Sequence, residues 1–284
     1  MTARSSSLKH QHRPMVRVGV HLFLILAIIA TIGPLIWTIL GSFKNVGEIF
    51  RFPPTFLPEA PTLSNYERLF DTPAFWAWIA NTAAMVAIAV AATLLVCSLA
   101  GYAFAKFRFP GSAFLFGVIV ASLSIPFAVV LTTLFVQVVE VGVAGTPLGL
   151  AIPYLAPPLG VIIMRQYAIA AVPEEILEAA RLDGAGEFRI FWSIVAPLLA
   201  PGSGALAIWA FFHVYNAYLW PIVISSRTNE FNLPAGLGAL ANGMAPAYGL
   251  TVAGAVITAI PPLVLLFVLR HRVTMALSAG AVKG

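Results

Sequence analysis

Few side chains in this 284-residue sequence could take part in bond-making chemistry. Its one cysteine, Cys97, stands in an apolar run, which rules out an intramolecular disulfide framework and any cysteine-based zinc site. His21 and His213 also stand in apolar runs, with no second histidine or carboxylate at ligand spacing, so no metal is expected. There is no Ser/His/Asp or Cys/His arrangement for nucleophilic catalysis, and the phosphate-cradling pattern G-x-x-x-x-G-K-[ST] is absent. The remaining candidates would bind rather than react. Asn81, Tyr215, Asn216, Tyr218 and Trp220 offer the hydrogen bonds and aromatic faces that a sugar takes. The same residue types also serve as interhelical hydrogen bonds (Asn) or membrane-interface anchors (Tyr, Trp), and sequence alone leaves both readings open.

The elements carrying these residues belong in a membrane. Hydrophobic residues make up 60% of the chain and charged residues only 10%, against about 25% charged in a soluble domain; an ordinary cytosolic enzyme is excluded. The net charge of +5 comes from basic residues in the gaps between apolar runs, not from a basic and aromatic face, so nucleic acid is not an expected partner. A helix crosses a bilayer with about 20 mostly apolar residues. Six runs of that size occur: Val18–Leu40, Trp76–Ala100, Ala113–Val138, Val143–Ile163, Gly204–Ile224 and Tyr248–Leu269. The expected fold is therefore an all-α polytopic membrane protein with six transmembrane helices. None of the six runs contains Lys, Arg, Asp or Glu, which speaks against an ion-coupled carrier, because such a carrier needs ionisable groups at membrane depth.

The first run follows Arg4, Lys9, Arg13 and Arg17, yet it is too long for a signal-peptide core and no small-residue cleavage pattern follows, so it reads as a retained anchor. With the amino terminus inside, 12 of the 16 Lys and Arg fall in inner segments and 4 in outer ones, which places both termini in the cytoplasm. The chain then divides into a tail (1–17), a six-span domain (18–270) and a second tail (271–284). Prolines inside the runs (Pro34, Pro126, Pro153, Pro157, Pro158, Pro261, Pro262) predict kinked helices, around a pathway or as packing irregularity. Ala84, Ala87 and Ala91 give the second run a small-residue face.

The inner loop 164–203 is the most informative segment. Pro173 suits a first helical turn, Glu174 and Glu175 suit the positive end of the helix dipole, and Ile176, Leu177 and Ala180 form an apolar stripe. Asp183 and Gly184 stop this helix. A second amphipathic stretch, Phe188–Val195, places Phe188, Phe191, Trp192 and Val195 on one side and ends at Pro197. The expected object is a helix–turn–helix on the inner membrane face, which periodicity alone would also give for a plain interfacial connector. Its wording is more specific. Glu178-Ala179-Ala180, Gly184, Ile194 and Pro197 resemble the EAA loop of ABC-importer membrane subunits, E-A-A-x3-G-x9-I-x-L-P, with Ala196 in place of the leucine.

The resemblance extends to Ser64-Asn65-Tyr66, to Gly101-Tyr102-Ala103-Phe104 with Phe109-Pro110-Gly111, and to Met164-Arg165-Gln166-Tyr167. It also takes in Asn216 to Pro221 and Ala279 to Gly284, and is to the carbohydrate-uptake branch, specifically the smaller six-span permease of maltose-type systems. It covers nearly the whole chain after about residue 15, although Thr274-Met275-Ala276 departs from the usual tail.

The resemblance implies a type I ABC importer permease (MetI-like) fold in a bacterial cytoplasmic membrane. The implied partners are a second homologous permease, two copies of a cytoplasmic ATPase that hold the ATP and Mg, and an external solute-binding protein. This chain itself would bind no cofactor and would not be an enzyme. Glu178, Ala179, Ala180, Asp183, Gly184, Ile194 and Pro197 would couple it to an ATPase. The outer stretch from Thr228 to Ala247, with Asn232, Leu233, Pro234 and Gly236, would face the binding protein. Two other classes remain as alternatives: a self-sufficient ion-coupled secondary transporter, which the uncharged spans disfavour, and a membrane-embedded enzyme, for which convergent acids, bases or metal ligands are missing.

Overall fold

A computed structural model describes residues 14–242 and 247–281, with the side chains of 18–242 and 247–269. What was expected of the first tail, including Arg17, and of side chains after Leu269 lies outside the described residues. All regular structure among the described residues is helical: α1 (Pro14–Ser42), α2 (Val46–Ile49), α3 (Ser64–Phe70), α4 (Pro73–Lys106), α5 (Ser112–Ser122), α6 (Phe127–Glu140) and α7 (Pro147–Ala151). Then follow α8 (Pro158–Ala171), α9 (Glu174–Leu182), α10 (Glu187–Ile190), α11 (Ala196–Tyr215), α12 (Leu219–Ile224), α13 (Leu233–Asn242) and α14 (Tyr248–Ala281).

α4 organises the rest. Pro73 opens it, where the missing N–H costs nothing, and Lys106 sits in its last turn, where a cation meets the negative end of the helix dipole. Its 34 residues make a rod of about 50 Å at 1.5 Å per residue. Three buried clusters lie along it: Phe75 and Trp78 meet α3, α13 and α14 near its start, Met85 and Ala89 meet α6, α7 and α12, and Cys97 and Tyr102 meet α8, α9 and α11 near its end.

Among the described residues, four helices are long and apolar enough to cross a membrane: Val18–Ser42 within α1, α4, Glu187–Tyr215 and Tyr248–Leu269. The other two expected runs are broken. Ala113–Val138 divides into α5 and α6, which meet at 104° around Pro126, and Val143–Ile163 becomes Pro147–Tyr154 and α8, bent by 55° at Leu155–Pro157. Proline forces the residue before it out of the helical region, so each run turns where Pro126 or the Pro157-Pro158 pair stands. The expected run Gly204–Ile224 is also displaced: the helix ends at Tyr215, and α12 is separate.

The segment after α1 is tied down by polar groups. Asn65 Nδ2 donates to the carbonyls of Ser42 (2.9 Å) and Lys44 (2.8 Å), and Lys44 Nζ donates to the Thr55 carbonyl. The Glu48 carboxylate accepts from Glu59 N (2.9 Å) and Thr55 Oγ1 (2.8 Å), and these bonds, the Glu59 amide first, hold it below the usual carboxylate range.

Candidate functional site: a short charged helix and proline-kinked spans

α9 is short because its ends are chemically marked. Pro173 caps its start, and Glu174 and Glu175 follow in the first turn. At its end Gly184 N bonds Arg181 O and Ala185 N bonds Ala180 O, both 3.0 Å, with Gly184 at φ +76°. This is a Schellman ending, which needs a left-handed residue at that position. Leu177 and Ala180 turn inward onto the cluster that holds Val172 and Ile190, while Glu178, Ala179, Leu182, Asp183 and Gly184 are exposed together. The EAA residues therefore divide: Ala180 belongs to this chain's own core, and Ile194 and Pro197 lie on the following helix rather than on the exposed face of α9. Ile176 is exposed too, so the buried stripe is narrower than the sequence suggests.

One ion pair fastens α9 to the end of α4 and another fastens it to α10. Lys106 Nζ, whose side chain is 6% exposed, meets Glu174 Oε1 at 3.0 Å. Arg181 Nε donates to Glu187 Oε1 at 2.7 Å and Tyr102 Oη to Glu187 Oε2 at 3.5 Å. The Glu187 carboxylate holds the Arg181 guanidinium above its ordinary pKa.

Pro197 does not end the second stretch. Phe191–Val195 is a π turn, and the helix runs on from Glu187 to Tyr215. The wider i→i+5 turn gives the proline ring the room that a regular turn denies it. The extra residue also shifts the register, so Phe191 and Val195 are buried while Phe188 and Trp192 are 77% and 46% exposed. The four do not share one face, and the expected helix–turn–helix on the membrane surface is instead a short helix followed by the start of a span.

Four of the five proposed sugar-path residues donate to backbone carbonyls, Asn216 to Phe212 O at the end of its own helix (2.8 Å) and the other three to distant segments. A proline at i+4 leaves the carbonyl of residue i without its helical donor. Pro153 does this to Gly149, whose carbonyl takes Trp220 Nε1 (3.0 Å), and Pro262 does it to Thr258, whose carbonyl takes Tyr215 Oη (2.8 Å). Pro158 does it to Tyr154, whose carbonyl takes Thr93 Oγ1 (2.9 Å). Tyr215 and Trp220 are 5% and 0% exposed and serve here as carbonyl partners. Asn81 Nδ2 donates to the carbonyls of Asn229 (2.9 Å) and Phe231 (3.0 Å) and fixes the loop there. Asn216 and Tyr218 alone among the five are exposed. The sequence held a signal for two of them: the carbonyls that take Tyr215 and Trp220 each lie four residues before a proline.

Of the stretch expected to face a binding protein, residues 243–246 lie outside the described residues, and the four named residues are buried or half-buried. Asn232 is buried, with Nδ2 on Ala217 O (2.7 Å) and Oδ1 accepting from Ala235 N (3.1 Å); Leu233 is buried, and Pro234 is half-buried. Gly236 lies against the Trp78 ring with no room for a Cβ. Small residues in α13 admit close packing on α4 and α14. Ser226 to Asn229 are exposed, Thr228 and Asn229 being the first two residues of that stretch.

Residues 94–274 match the family described as binding-protein-dependent transport system inner membrane component. The chain is 35% identical over 266 residues to the arabinooligosaccharides transport system permease protein AraQ of Halalkalibacterium halodurans, covering 92% of this chain and 94% of that protein. It is 32% identical over 277 residues to the maltodextrin transport system permease protein MdxG of Bacillus subtilis, covering 96% and 98%. Its fold matches a crystal structure of a bacterial ABC transporter involved in alginate import, with a TM-score of 0.78 at 22% identity, over 95% of this chain and 99% of that one.

Proposed function

The chain belongs to the binding-protein-dependent transport system inner membrane components, and from that membership we propose that it is one permease half of an ATP-driven importer of oligosaccharides. The sugar class rests on the arabinooligosaccharide and maltodextrin permeases, each matched over more than nine-tenths of both chains. In this reading a second permease completes the pathway, two cytoplasmic ATPases bind ATP and Mg, an external protein delivers the sugar, and both termini are cytoplasmic. α9 is the contact for an ATPase. The observation that carries this is its construction: an exposed face of Glu178, Ala179, Leu182 and Asp183 on a helix fixed by Lys106–Glu174 and by Leu177 in the core. A push on that face reaches α4 through fixed contacts. Ser226 to Asn229, tied to α4 by Asn81 and Trp78, is the contact for the binding protein.

The test is reconstitution. This chain with its second permease, ATPases and loaded binding protein should accumulate oligosaccharide when ATP is inside and no ion gradient is imposed. Accumulation by the chain alone under a proton or sodium gradient would overturn the reading.

A further inference from the structure

The segment joining α2 to α3 carries large apolar side chains on its surface. Phe52 is 93% exposed, and Phe50, Phe56 and Leu57 are exposed beside it. Two ring contacts fix how deep the segment lies. Phe56 meets the Trp37 ring edge-on with centroids 5.7 Å apart, and Trp37 stands five residues before the end of α1, so about 8 Å short of that helix end. Phe50 meets Tyr248 edge-on at 4.8 Å, and Tyr248 is the first residue of α14. Trp37 and Tyr248 are exposed themselves, and Trp and Tyr at the ends of spans lie at the membrane–water interface. Lys44 holds the segment at this level, because its Nζ donates to the Thr55 carbonyl and lies 5.1 Å from the centre of the Trp37 ring. Residues 50–57 therefore fold back along α1 rather than out into water.

The backbone of the segment suits that level too. A peptide N–H without a partner is costly near hydrocarbon, and Pro53, Pro54 and Pro58 carry none. Its charges are paired at the rim: Arg51 Nη1 meets Glu59 Oε2 at 2.6 Å, and Lys44 Nζ lies 4.0 Å from Glu48 Oε1. Both pairs are internally neutral. Lys44 and Arg51 are the only cations of residues 43–60, so none is left over to attract an anionic head group or an acidic partner surface. What the segment offers is apolar contact.

We propose that residues 50–57 are an aromatic anchor in the outer leaflet, with Phe52, Phe56 and Leu57 among the upper acyl chains and the Arg51–Glu59 pair at head-group level. Moving Phe and Leu side chains out of water is favourable, so the anchor sets the height of the outer end of α1, to which Lys44 ties it. This goes beyond the importer reading and needs from it only that the segment lies on the outer side of the membrane.

The test reads depth. Phe52→Cys in a Cys97→Ser background carries a thiol-linked fluorophore, in the importer complex held in nanodiscs of phosphatidylethanolamine and phosphatidylglycerol. A side chain so exposed is not needed for folding, so the labelled complex should assemble as wild type. Lipids with a nitroxide high on the acyl chain should quench the label several-fold more than lipids with the nitroxide at the chain end. Aqueous iodide should quench it several-fold less than the same label on Ser226→Cys. Adding Phe56→Ser and Leu57→Ser should raise iodide quenching several-fold, which separates the anchor from partitioning of the fluorophore itself.

Iodide quenching equal to that at Ser226 would put the segment in water and overturn the anchor. Shielding from iodide and from both nitroxide lipids would also overturn it, by showing that the second permease or the binding protein covers these residues. So would iodide quenching that the two serines leave unchanged. A complex that moves no sugar with ATP would count against the importer reading and leave this measurement standing, since depth is read without transport.

Discussion

The phenol of Tyr215 donates to Thr258 O, a carbonyl that Pro262 has deprived of its own donor, and the side chain is 5% exposed. Removing the hydroxyl leaves a buried acceptor unpaired, which costs about 1–3 kcal/mol. Tyr215→Phe should therefore lower the melting temperature of the purified complex while sugar preference stays as in wild type. A changed KM for sugar with an unchanged melting temperature would return Tyr215 to the pathway. Gly184 is governed by backbone geometry instead. Its φ of +76° is unfavourable for any residue with a Cβ, but no neighbouring atom lies where a Cβ would go. Replacement there costs roughly 1–2 kcal/mol of strain and no collision. Gly184→Val should distort the end of α9 and raise the ATP hydrolysed per sugar several-fold, and Gly184→Asn, which tolerates the left-handed region, should do so less. Wild-type coupling in the Val variant would show that the Schellman ending is not part of the ATPase contact.

At the scale of elements, the question is how α9 stays in register with α4. The Lys106–Glu174 pair is lopsided, with the Lys106 side chain 6% exposed and the Glu174 side chain 56%. Its value lies on the buried side, since reversing Lys106 would set two carboxylates together with little water to screen them. Lys106→Glu should weaken ATPase co-purification, and Lys106→Glu with Glu174→Lys should recover much of it. No recovery in the double variant would mean that packing of Leu177 and Ala180, not charge, sets the register. The broken spans belong to this scale as well. Pro126, Pro153, Pro157 and Pro158 were visible as kink-formers, but a proline does not state an angle. Whether a run bends by 104°, by 55°, or not at all, as at Pro197, depends on which neighbour takes the freed carbonyl and on whether a π turn makes room for the ring.

For the whole molecule, the two ends of α4 should face opposite sides of the membrane, since α4 is one unbroken 34-residue helix. The loop at Ser226–Asn229 is bonded near its start and α9 near its end. Cysteines at Ser226 and at Glu175, each in a Cys97→Ser background, should label with an impermeant thiol reagent from outside and from inside respectively. Labelling of both from one face would refute the arrangement.

Composition and run length alone determined that the chain is a helical membrane protein with no ionisable side chains in its expected spans, because twenty apolar residues in succession have no stable alternative in water. The spacing from Glu178 to Pro197 pointed to the segment proposed here as the ATPase contact, because a short helix with a marked start and a left-handed stop is encoded by neighbours in sequence. Only the tertiary structure decided which polar residues are spent on the fold. Asn81, Tyr215, Trp220 and Asn232 look like binding residues in sequence, yet each satisfies a backbone carbonyl from another part of the chain, between 15 and 150 positions away. A hydrogen-bonding side chain shows what it can bind, but only the packed neighbours show whether that bond is already made.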